Sequence, residues 1–349
     1  MIIPVLLLIS FGTLVIYTSE PQQALAQAIF AIIGLGGFFL LSNFDYRMFK
    51  PLNRVIYFSI LFLLVVVFLI GFETRGSLRW ISLGPFNLQP SEFAKISLIL
   101  CLAEFWSNNS PNWKNIAKSL VILLPFTLLI FRQPDLGTAL TLGFIWLSLL
   151  IATNVSLIKL AVIFILNFIL APLGWLFLKS YQKQRLISFI FPGQDPLGVG
   201  YNVIQSTIAV GSGEIFGRGL GRGTQSRLQF LPEFRTDFIF AFIAEELGLI
   251  GSAIVLGLYL AIFYFCFKIL INTKEQFGDL LVIGIVSMLF FQVFVNIGMN
   301  TGILPITGIT LPLLSYGGSS IITTLLSLGI VSSVKKFGLK RKEIDTFSI

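Results

Sequence analysis

Residues 231–248 read LPEFRTDFIFAFIAEELG, which places four carboxylates and one arginine at the start of a long apolar run. The whole chain contains 16 acidic residues and no histidine, so this concentration of charge needs a reason. Ionisable groups at membrane depth cost roughly 2.5–3.5 kcal/mol each, and they tend to mark transport pathways or chemistry. Without histidine, proton transfer falls to carboxylates, lysine, tyrosine or water. The stretch therefore predicts a membrane helix with a functional site at its mouth.

The apolar character of this run extends along the whole chain. Hydrophobic residues make up 56% of the sequence and the mean hydropathy is +0.91, which is typical of polytopic membrane proteins. Runs near the length that crosses a bilayer, about 20 residues, recur at 2–18, 22–42, 55–71, 92–107, 118–132, 137–152, 158–178, 237–267, 280–300 and 313–334. The sequence thus predicts an all-α polytopic membrane protein with about ten transmembrane helices, forming one integral membrane domain over residues 1–349.

Lysines and arginines in the short loops predict the orientation of these helices, because cytoplasmic loops carry the excess of such residues. If the N-terminus is cytoplasmic, the short outer loops hold only Arg75, Arg79 and Arg132, whereas the inner set comprises Arg47, Lys50, Arg54, Lys114, Lys118, Lys159, Lys268, Lys274, Lys335, Lys336, Lys340, Arg341 and Lys342. Both termini are therefore expected in the cytoplasm, and residues 179–236 are expected to form one long extracytoplasmic loop. No basic module stands apart from the spans, so nucleic acid is not an expected partner.

A first group of polar residues precedes the fourth span, in RWISLGPFNLQPSEFAK at 79–95. Ser91 is expected to cap the helix, and Glu92 and Lys95 are spaced i,i+3 on one of its faces. One interpretation is a cap and a local ion pair that anchors the helix end. In the other, Lys95 is a phosphate-facing cation accompanied by Glu92.

A second group, RQPDLGTA at 132–139, lies between the fifth and sixth spans. Pro134 and Asp135 suit the first turn of a helix, where the carboxylate meets the positive end of the helix dipole. Arg132 beside them offers a planar fork for an anionic ligand. A turn-and-cap role and a ligand-binding role are both open for this group.

The long loop at 179–236 combines glycines with arginines. Nine glycines fall between Gly193 and Gly223, interleaved with Arg218, Arg222 and Arg227. Glycines let backbone N–H groups turn toward an anion, and arginines contact phosphate in a bidentate manner. Residues 201–210 are apolar enough to form a short helix at the membrane interface or re-entering the membrane.

The segment NIGMNTGILPITGITLPLLSYGGSS at 296–320 is predicted to break what would otherwise be a continuous helix pair, because it contains Pro305, Pro312 and repeated glycines. Broken backbone at membrane depth is tolerated where it is buried in protein or lines a polar cavity. Close helix packing by glycine is the simpler explanation.

Asp237 follows Thr236 and is expected in the first turn of a helix, where a capping carboxylate would be a permanent anion. Glu245 lies two turns deeper on the same predicted face, while Glu246 points about 100° away. Two acids on one buried face are difficult to explain by capping. A cluster with Arg235 would keep Asp237 ionised as a base, while Glu245 supports the site.

Four motifs of this chain resemble the signatures of the SEDS family of shape, elongation, division and sporulation proteins. They are RWISLGPFNLQPSEFAK, RQPDLGTAL, LPEFRTDFIFAFIAEELGLIG and NIGMNTGILPITGITLPLLSYGGSS, in the family's order between residues 79 and 320. The segments DLGTAL and IGMNTGILP are more similar to the rod-shape elongation branch (RodA) than to the division branch (FtsW). The resemblance implies a ten-helix peptidoglycan glycosyltransferase that polymerises lipid II at the outer face of the cytoplasmic membrane. It also implies a class B penicillin-binding protein and other membrane proteins of the elongation complex as partners.

By this resemblance, Asp237 in the TDFIF motif is the essential acidic residue, and Glu92 and Lys95 are polar cavity residues. The acceptor would be the GlcNAc 4-hydroxyl of lipid II, and the donor would be the MurNAc anomeric carbon of a growing chain, which releases a polyprenyl diphosphate. Such an inverting displacement needs a carboxylate base and cationic stabilisation of the diphosphate.

Asp237 is therefore the candidate base. The candidate substrate-binding residues are Glu92, Lys95, Arg132, Asp135, Arg218, Arg222 and Glu245. A divalent cation, Mg²⁺ or Mn²⁺, held by Asp237 is an alternative means of neutralising the diphosphate.

Two functions from other classes compete with the polymerase. A lipid flippase or transporter also has broken helices and buried charges, but it should carry ionisable residues through to the cytoplasmic half, which is nearly bare here. A scaffold that only holds a transpeptidase predicts that Asp237→Asn leaves function intact.

Overall fold

The structure, a computed structural model, describes residues 1–74, 77–84, 86–191, 193, 199–227 and 230–338. Arg75 and the tail cations Lys340, Arg341 and Lys342, which entered the orientation argument, lie outside these residues. The described chain forms thirteen α-helices: α1 Ile2–Tyr17, α2 Pro21–Asn43, α3 Phe49–Ile70, α4 Pro90–Asn108, α5 Trp113–Arg132, α6 Leu136–Ala152, α7 Leu157–Phe177, α8 Ser180–Ile190, α9 Val199–Ser212, α10 Thr224–Arg227, α11 Ile239–Asn272, α12 Gln276–Asn300 and α13 Gly318–Gly338.

The long helices coincide with the predicted spans, which confirms the polytopic all-α class. In the described part of the chain, seven helices are long and apolar enough to cross a membrane, namely α2, α3, α5, α7, α11, α12 and α13. Helices α1 and α6 are apolar but shorter. Helix α4 carries Glu92, Lys95 and Glu104 within its 19 residues and is less apolar than the seven. The remaining three helices, α8 to α10, lie in the long loop.

A small antiparallel sheet between α3 and α4 was not predicted. Its strands are β1 Phe72–Thr74, β2 Ser77–Leu83 and β3 Phe86–Leu88, paired in the order β1-β2-β3. Phe72 lies opposite Trp80, and Ile81 lies opposite Leu88. The aromatic Trp80 and the β-branched Ile81 favour a strand once a partner strand is present. The sheet places Arg79 above the α5–α6 connection.

The loops that connect the helices lie on two faces of the bundle, as their contacts with one another show. On one, which we call the sheet face, Arg235 meets Glu20, Arg79 meets the α5–α6 turn, and Gln89 meets Ser319. On the other, the opposite face, Lys336 donates to Asn43 and Lys159 donates to the Pro111 carbonyl. This grouping is the one expected if each of the ten helices crosses the membrane once.

Glu275 ties two connections of the opposite face together. Its carboxylate accepts hydrogen bonds from Lys50 (2.6 Å), Arg47 (2.7 Å) and the Tyr46 hydroxyl (2.9 Å). Burial acts to raise the pKa of Glu275, but these three donors prevail and lower it to about 2. The α2–α3 and α11–α12 connections are thus joined by charge-assisted hydrogen bonds.

Helix α13 packs closely against α2 although the two lie near opposite ends of the chain. A Cβ atom at Gly34 would come within 2.6 Å of a Leu325 methyl group, and one at Gly329 would come within 2.9 Å of the Phe38 carbonyl oxygen. Small residues let membrane helices approach at backbone distance, where dispersion contacts are strongest. This contact joins the N-terminal and C-terminal parts of the chain within the bundle.

The predicted break between α12 and α13 is present at residues 301–317, and residues 311–315 within it are buried. Leu311, Leu313 and Leu314 are almost inaccessible. The main-chain carbonyls of the segment are satisfied by side chains of three helices: Gln27 of α2 donates to Leu314, Asn296 of α12 donates to Ile309, and Tyr259 of α11 donates to Pro312. Irregular backbone at membrane depth requires such internal partners because lipid supplies none.

Candidate active site

Asp237 lies in a turn before α11 rather than in the helix. We call residues 231–238 the acidic turn. The amides of Thr236 and Phe238 both donate to the Glu233 carbonyl, and the Thr236 hydroxyl donates to the Glu233 carboxylate at 2.9 Å. These bonds keep the chain coiled in turns until Ile239, where the helix begins. The prediction that Asp237 belongs to the first helical turn is therefore wrong, and so is the argument that it shares a helix face with Glu245.

The acidic turn is held by the broken segment and by α12. The Ser315 hydroxyl donates to the Thr236 carbonyl at 2.6 Å, and the Tyr316 amide donates to the Arg235 carbonyl at 2.8 Å. The side-chain amides of Asn296 and Asn300 donate to the Asp237 carbonyl at 2.9 and 3.1 Å. Three consecutive carbonyls of the turn are thus fixed by other segments of the chain.

The Asp237 carboxyl group faces Gly308 and Arg185. A Cβ atom placed on Gly308 would lie 3.6 Å from Asp237 Oδ2 and 3.7 Å from Arg185 Nη1. Because Gly308 has a φ of +76°, which L side chains rarely adopt, this position stays without a side chain. Gly308 therefore contributes only main-chain atoms at the point where Asp237 and Arg185 converge.

The pKa of Asp237 is raised to about 6. Burial is the main cause, and the negative charges of Glu233 and Asp135 act in the same direction, while Arg185 and Arg79 oppose it. The side chain keeps partial access to solvent. A half-buried carboxyl group with a pKa near neutrality is well suited to accept a proton from a substrate hydroxyl.

The predicted group at 132–139 supplies Asp135 to this centre. The cation beside Asp135 is Arg79, however, and not the predicted Arg132. Asp135 caps α6 as predicted, accepting hydrogen bonds from the Thr138 amide (3.2 Å) and hydroxyl (2.9 Å). Arg79 donates to the carbonyls of Gln133 and Pro134, and its guanidinium lies 4.0 Å from the Asp135 carboxylate. Arg132 is exposed at the end of α5.

Glu92 and Lys95 form the predicted i,i+3 ion pair, with 2.7 Å between Lys95 Nζ and Glu92 Oε1. Both side chains are buried between α4 and α13, where the Thr323 hydroxyl donates to the second Glu92 oxygen at 3.3 Å. Ser91 does not cap α4. The helix begins at Pro90, two residues earlier than a Ser91 cap would place it, with Gln89 at the N-cap, so Ser91 already lies inside the helix.

Glu245 and Glu246 bind the glycine-rich loop instead of the acidic turn. Glu245 accepts hydrogen bonds from the Gln225 amide (2.8 Å) and the Thr224 hydroxyl (3.3 Å), while Glu246 accepts from the Gly221 amide (2.7 Å). In the glycine-rich stretch the Gly221 amide does meet an anion, but this anion is a carboxylate of the protein itself, and the amides of Arg218 and Gly219 donate to main-chain carbonyls. The backbone approaches so closely that a Cβ at Gly217 would lie 2.2 Å from the Glu246 carbonyl oxygen.

The predicted arginines differ in where they lie. Arg218 is exposed and donates to the Ser212 carbonyl and the Thr224 hydroxyl, and Arg222 is exposed near Gly219. Arg235 turns away from Asp237. Its guanidinium donates to the Ser19 hydroxyl and lies 3.7 Å from Glu20, which corrects the prediction that it keeps Asp237 ionised.

Four residues of this centre were missed by the sequence reasoning: Arg79, Arg185, Asn296 and Asn300. Arg79 is the first residue of the motif at 79–95, but its partner Asp135 lies 56 residues away in the sequence. No local spacing of residues connects the two. Arg185 belongs to α8, an amphipathic helix inside the stretch interpreted only as a loop. The two asparagines are spaced i,i+4 on α12, a signal that could have been found, since buried amides on one helix face need partners.

Among the described residues, no group of three or more His, Cys, Asp or Glu side chains is arranged to hold a metal ion. The divalent cation at Asp237 therefore stays a prediction.

Comparisons with known proteins give one consistent result. A family model described as "Cell cycle protein", covering FtsW, RodA and SpoVE, matches residues 1–339. Peptidoglycan glycosyltransferase MrdB of Escherichia coli K12 is 40% identical over 96% of this chain and 92% of its own length. Peptidoglycan glycosyltransferase RodA of Treponema pallidum is 35% identical over 96% of each. Among solved structures, a chain from a peptidoglycan synthase complex that coordinates polymerization and crosslinking has a TM-score of 0.83 and 33% identity, covering 100% of this chain and 98% of that one.

Proposed function

Because this chain belongs to the FtsW, RodA and SpoVE family of cell cycle proteins, we propose that it is a peptidoglycan glycosyltransferase with its reaction centre at Asp237. The membership confirms the resemblance that the four motifs indicated, and the relatives named MrdB and RodA support the elongation branch. The family, together with the apolar helices, identifies a multi-pass protein of the cytoplasmic membrane. The single observation that carries the site is the convergence of Asp237 and Arg185 on Gly308.

Asp237 acts as the general base. The acceptor is the GlcNAc 4-hydroxyl of lipid II, whose proton passes to the Asp237 carboxylate as its oxygen bonds to the anomeric carbon of the donor MurNAc. The bond from that carbon to the diphosphate oxygen breaks on the opposite side, and polyprenyl diphosphate leaves with the electron pair. Positioned proton transfer of this kind contributes about 10²–10⁴-fold to the rate.

Arg185 and Arg79 stabilise the departing diphosphate. Both lie close enough to Asp237 to lower its pKa, and both are held at the sheet face by separate elements, α8 and β2. Arginine presents a planar fork that matches phosphate oxygens, and fixed cations act most strongly on charge that develops during the reaction. Lys95 is less suited to this role because its ammonium group is already paired with Glu92 inside the bundle.

The partner is a transpeptidase of the class B penicillin-binding protein type. The structural relative comes from a complex in which polymerization and crosslinking are coordinated. This supports a pairing in which the present chain polymerises and a partner protein crosslinks. Large apolar side chains remain exposed on the long helices, including Leu260, Tyr264 and Phe294. In a bilayer such a surface is available to lipid or to the transmembrane helix of a partner.

The distribution of buried charge favours an enzyme over a flippase. Among the described residues, the charged side chains that are almost fully buried are Glu92, Lys95, Asp135, Glu245 and Glu246. All five lie near the helix ends at the sheet face. A transport path would require ionisable groups deeper in the bundle as well.

The test is polymerisation of purified lipid II by the protein in complex with its class B partner. We expect wild type to form glycan polymer and Asp237→Asn to be about 10²–10⁴-fold slower. Asp279→Asn is the matched control, since Asp279 is also a half-buried acid but lies at the start of α12 on the opposite face. Full activity of an intact, partner-bound Asp237→Asn protein would remove Asp237 as the base. Lipid II movement across vesicles without polymer would instead support the flippase.

The pH dependence adds a second readout. A base must be ionised, and the pKa of Asp237 is raised to about 6. The rate should therefore rise as the pH increases through about 6 and level off above it. The residual rate of Asp237→Asn should lack this step, whereas a step retained in that variant would assign it to another group.

A further inference from the structure

Asn296 and Asn300 connect three parts of the reaction centre. Both are fully buried on α12, one helical turn apart. Asn300 donates to the Asp237 carbonyl through its amide nitrogen (3.1 Å) and accepts from the Ala241 amide through its side-chain oxygen (3.1 Å). Asn296 donates to the same Asp237 carbonyl (2.9 Å) and to the Ile309 carbonyl (2.7 Å).

The contact with Ala241 replaces a missing helix cap. The first N–H groups of a helix have no partner within the helix, and a polar side chain at the N-cap usually supplies one. Here the N-cap is Phe238, whose ring provides no acceptor. Asn300 supplies the acceptor from a neighbouring helix, so the start of α11 depends on α12.

The contacts of Asn296 fix both sides of the centre. One of its bonds holds the main chain of Asp237, and the other holds Ile309, directly after the Gly308 that faces the Asp237 carboxyl group and Arg185. A displacement of about 1 Å in a reacting group is enough to lower a rate about 10²-fold. The amides thus hold the chain on either side of the reacting carboxyl group.

We propose that Asn296 and Asn300 are positioning residues, which set the direction of the Asp237 carboxyl group through its main-chain carbonyl. This inference rests on the proposed function and adds two residues to it. Both side chains are fully buried, so we assign their contribution to the position of Asp237.

The test replaces each amide by an apolar side chain of similar shape, in Asn296→Leu and Asn300→Leu. Gln292→Met is the matched control because Gln292 is a buried amide one turn earlier on the same face of α12. Its side-chain oxygen has no hydrogen-bond partner in the described structure. Lipid II polymerisation is measured with the partner-bound protein, and Tm and partner binding are recorded for each variant.

We expect kcat to fall about 10–100-fold in both leucine variants, with KM changed less than about threefold. Gln292→Met should keep kcat within about threefold of wild type. Positioning also predicts non-additivity: in an Asp237→Asn background, the leucine substitutions should cause no further loss. If a leucine variant loses its partner or its fold, Asn296→Ser and Asn300→Ser, which remain polar, are expected to show the same kcat loss.

Three results would overturn the inference. They are an unchanged kcat in the folded leucine or serine variants, a loss of equal size in Gln292→Met, and a full additional loss in the Asp237→Asn background. The proposed function fails separately, through an Asp237→Asn protein that is as active as wild type. An inactive Asp237→Asn combined with fully active asparagine variants would leave the base in place and remove only the positioning role.

Discussion

Asp237 is fixed through its main chain, whereas the acids that are almost fully buried are fixed through their carboxylates. Glu92 is bonded to Lys95, Asp135 caps α6, and Glu246 binds the Gly221 amide. These three carboxylates are directed at donors of the protein itself. Anchoring at the carbonyl leaves the Asp237 side chain directed at Gly308 and Arg185. This difference separates the candidate base from its structural neighbours.

Residue-level prediction from the sequence succeeded where the partner is close in the chain. The Glu92–Lys95 pair and the Asp135 cap follow from spacings of three residues. It failed for Arg235 and Ser91, because their surroundings depend on a helix start that shifts by one or two residues. Arg79 and Arg185 were missed since only tertiary contacts bring them to Asp237.

At the residue scale, Arg185→Gln tests the cation beside Asp237. Loss of one fixed electrostatic donor typically costs about 10²–10³-fold in kcat, and we expect about 10²-fold here in lipid II polymerisation. Arg132→Gln is the control, because Arg132 is exposed at the end of α5. Equal rates for Arg185→Gln and wild type would exclude Arg185 from stabilising the leaving group.

At the element scale, α11 is interrupted where the glycine-rich loop lies across it. Gly248 has a φ of +64° within the helix, and the amides of Leu249 and Ile250 donate to Glu214 and Ile215 of the loop. The amides of Arg218 and Gly219 donate in return to the carbonyls of Glu245 and Glu246. The loop thus supplies partners to the backbone groups that the interruption leaves unsatisfied. Composition identified the glycines, but it could not show that the anion they meet belongs to α11.

Gly217→Ala is expected to destabilise this junction. A Cβ there would overlap the Glu246 carbonyl group, and the φ of +78° is itself unfavourable for alanine. Overpacking costs about 1–3 kcal/mol and a left-handed backbone about 1–2 kcal/mol, so Tm should fall clearly in detergent. Gly257→Ala, at an open position of α11, should leave Tm unchanged or raise it. Similar Tm values for the two variants would contradict the close approach of loop and helix.

At the scale of the whole molecule, hydropathy predicted the positions of α1–α7 and α11–α13, because the bilayer sets the length of an apolar run that spans it. The same patterns could not predict which helices touch, since a lipid-facing and a helix-facing apolar stripe look alike. The pairing of α2 with α13 depends on where Gly34 and Gly329 meet their neighbours. The sheet of β1, β2 and β3 was missed because two of its strands are only three residues long, and each strand is stable only when paired with its neighbour.

The orientation of the bundle is tested by labelling introduced cysteines. Glu214 is exposed in the long loop at the sheet face, and Asn272 is exposed at the end of α11 on the opposite face. In a protein with Cys101 and Cys266 replaced by serine, a membrane-impermeant maleimide added to spheroplasts should label Glu214→Cys and spare Asn272→Cys. Lysis should make both reactive. Labelling of Asn272→Cys alone in intact spheroplasts would reverse the orientation predicted from the cation distribution.

The buried segment between α12 and α13 has a consequence for how the protein is made. Its carbonyls are satisfied by Gln27, Tyr259 and Asn296, which come from three separate helices that the ribosome produces before it. The segment itself supplies Ser315 and Tyr316, which hold the acidic turn. A nascent chain that ends after α12 still lacks these two anchors. The reaction centre is therefore completed only at the end of synthesis, and an unfinished chain in the membrane is kept from polymerising substrate.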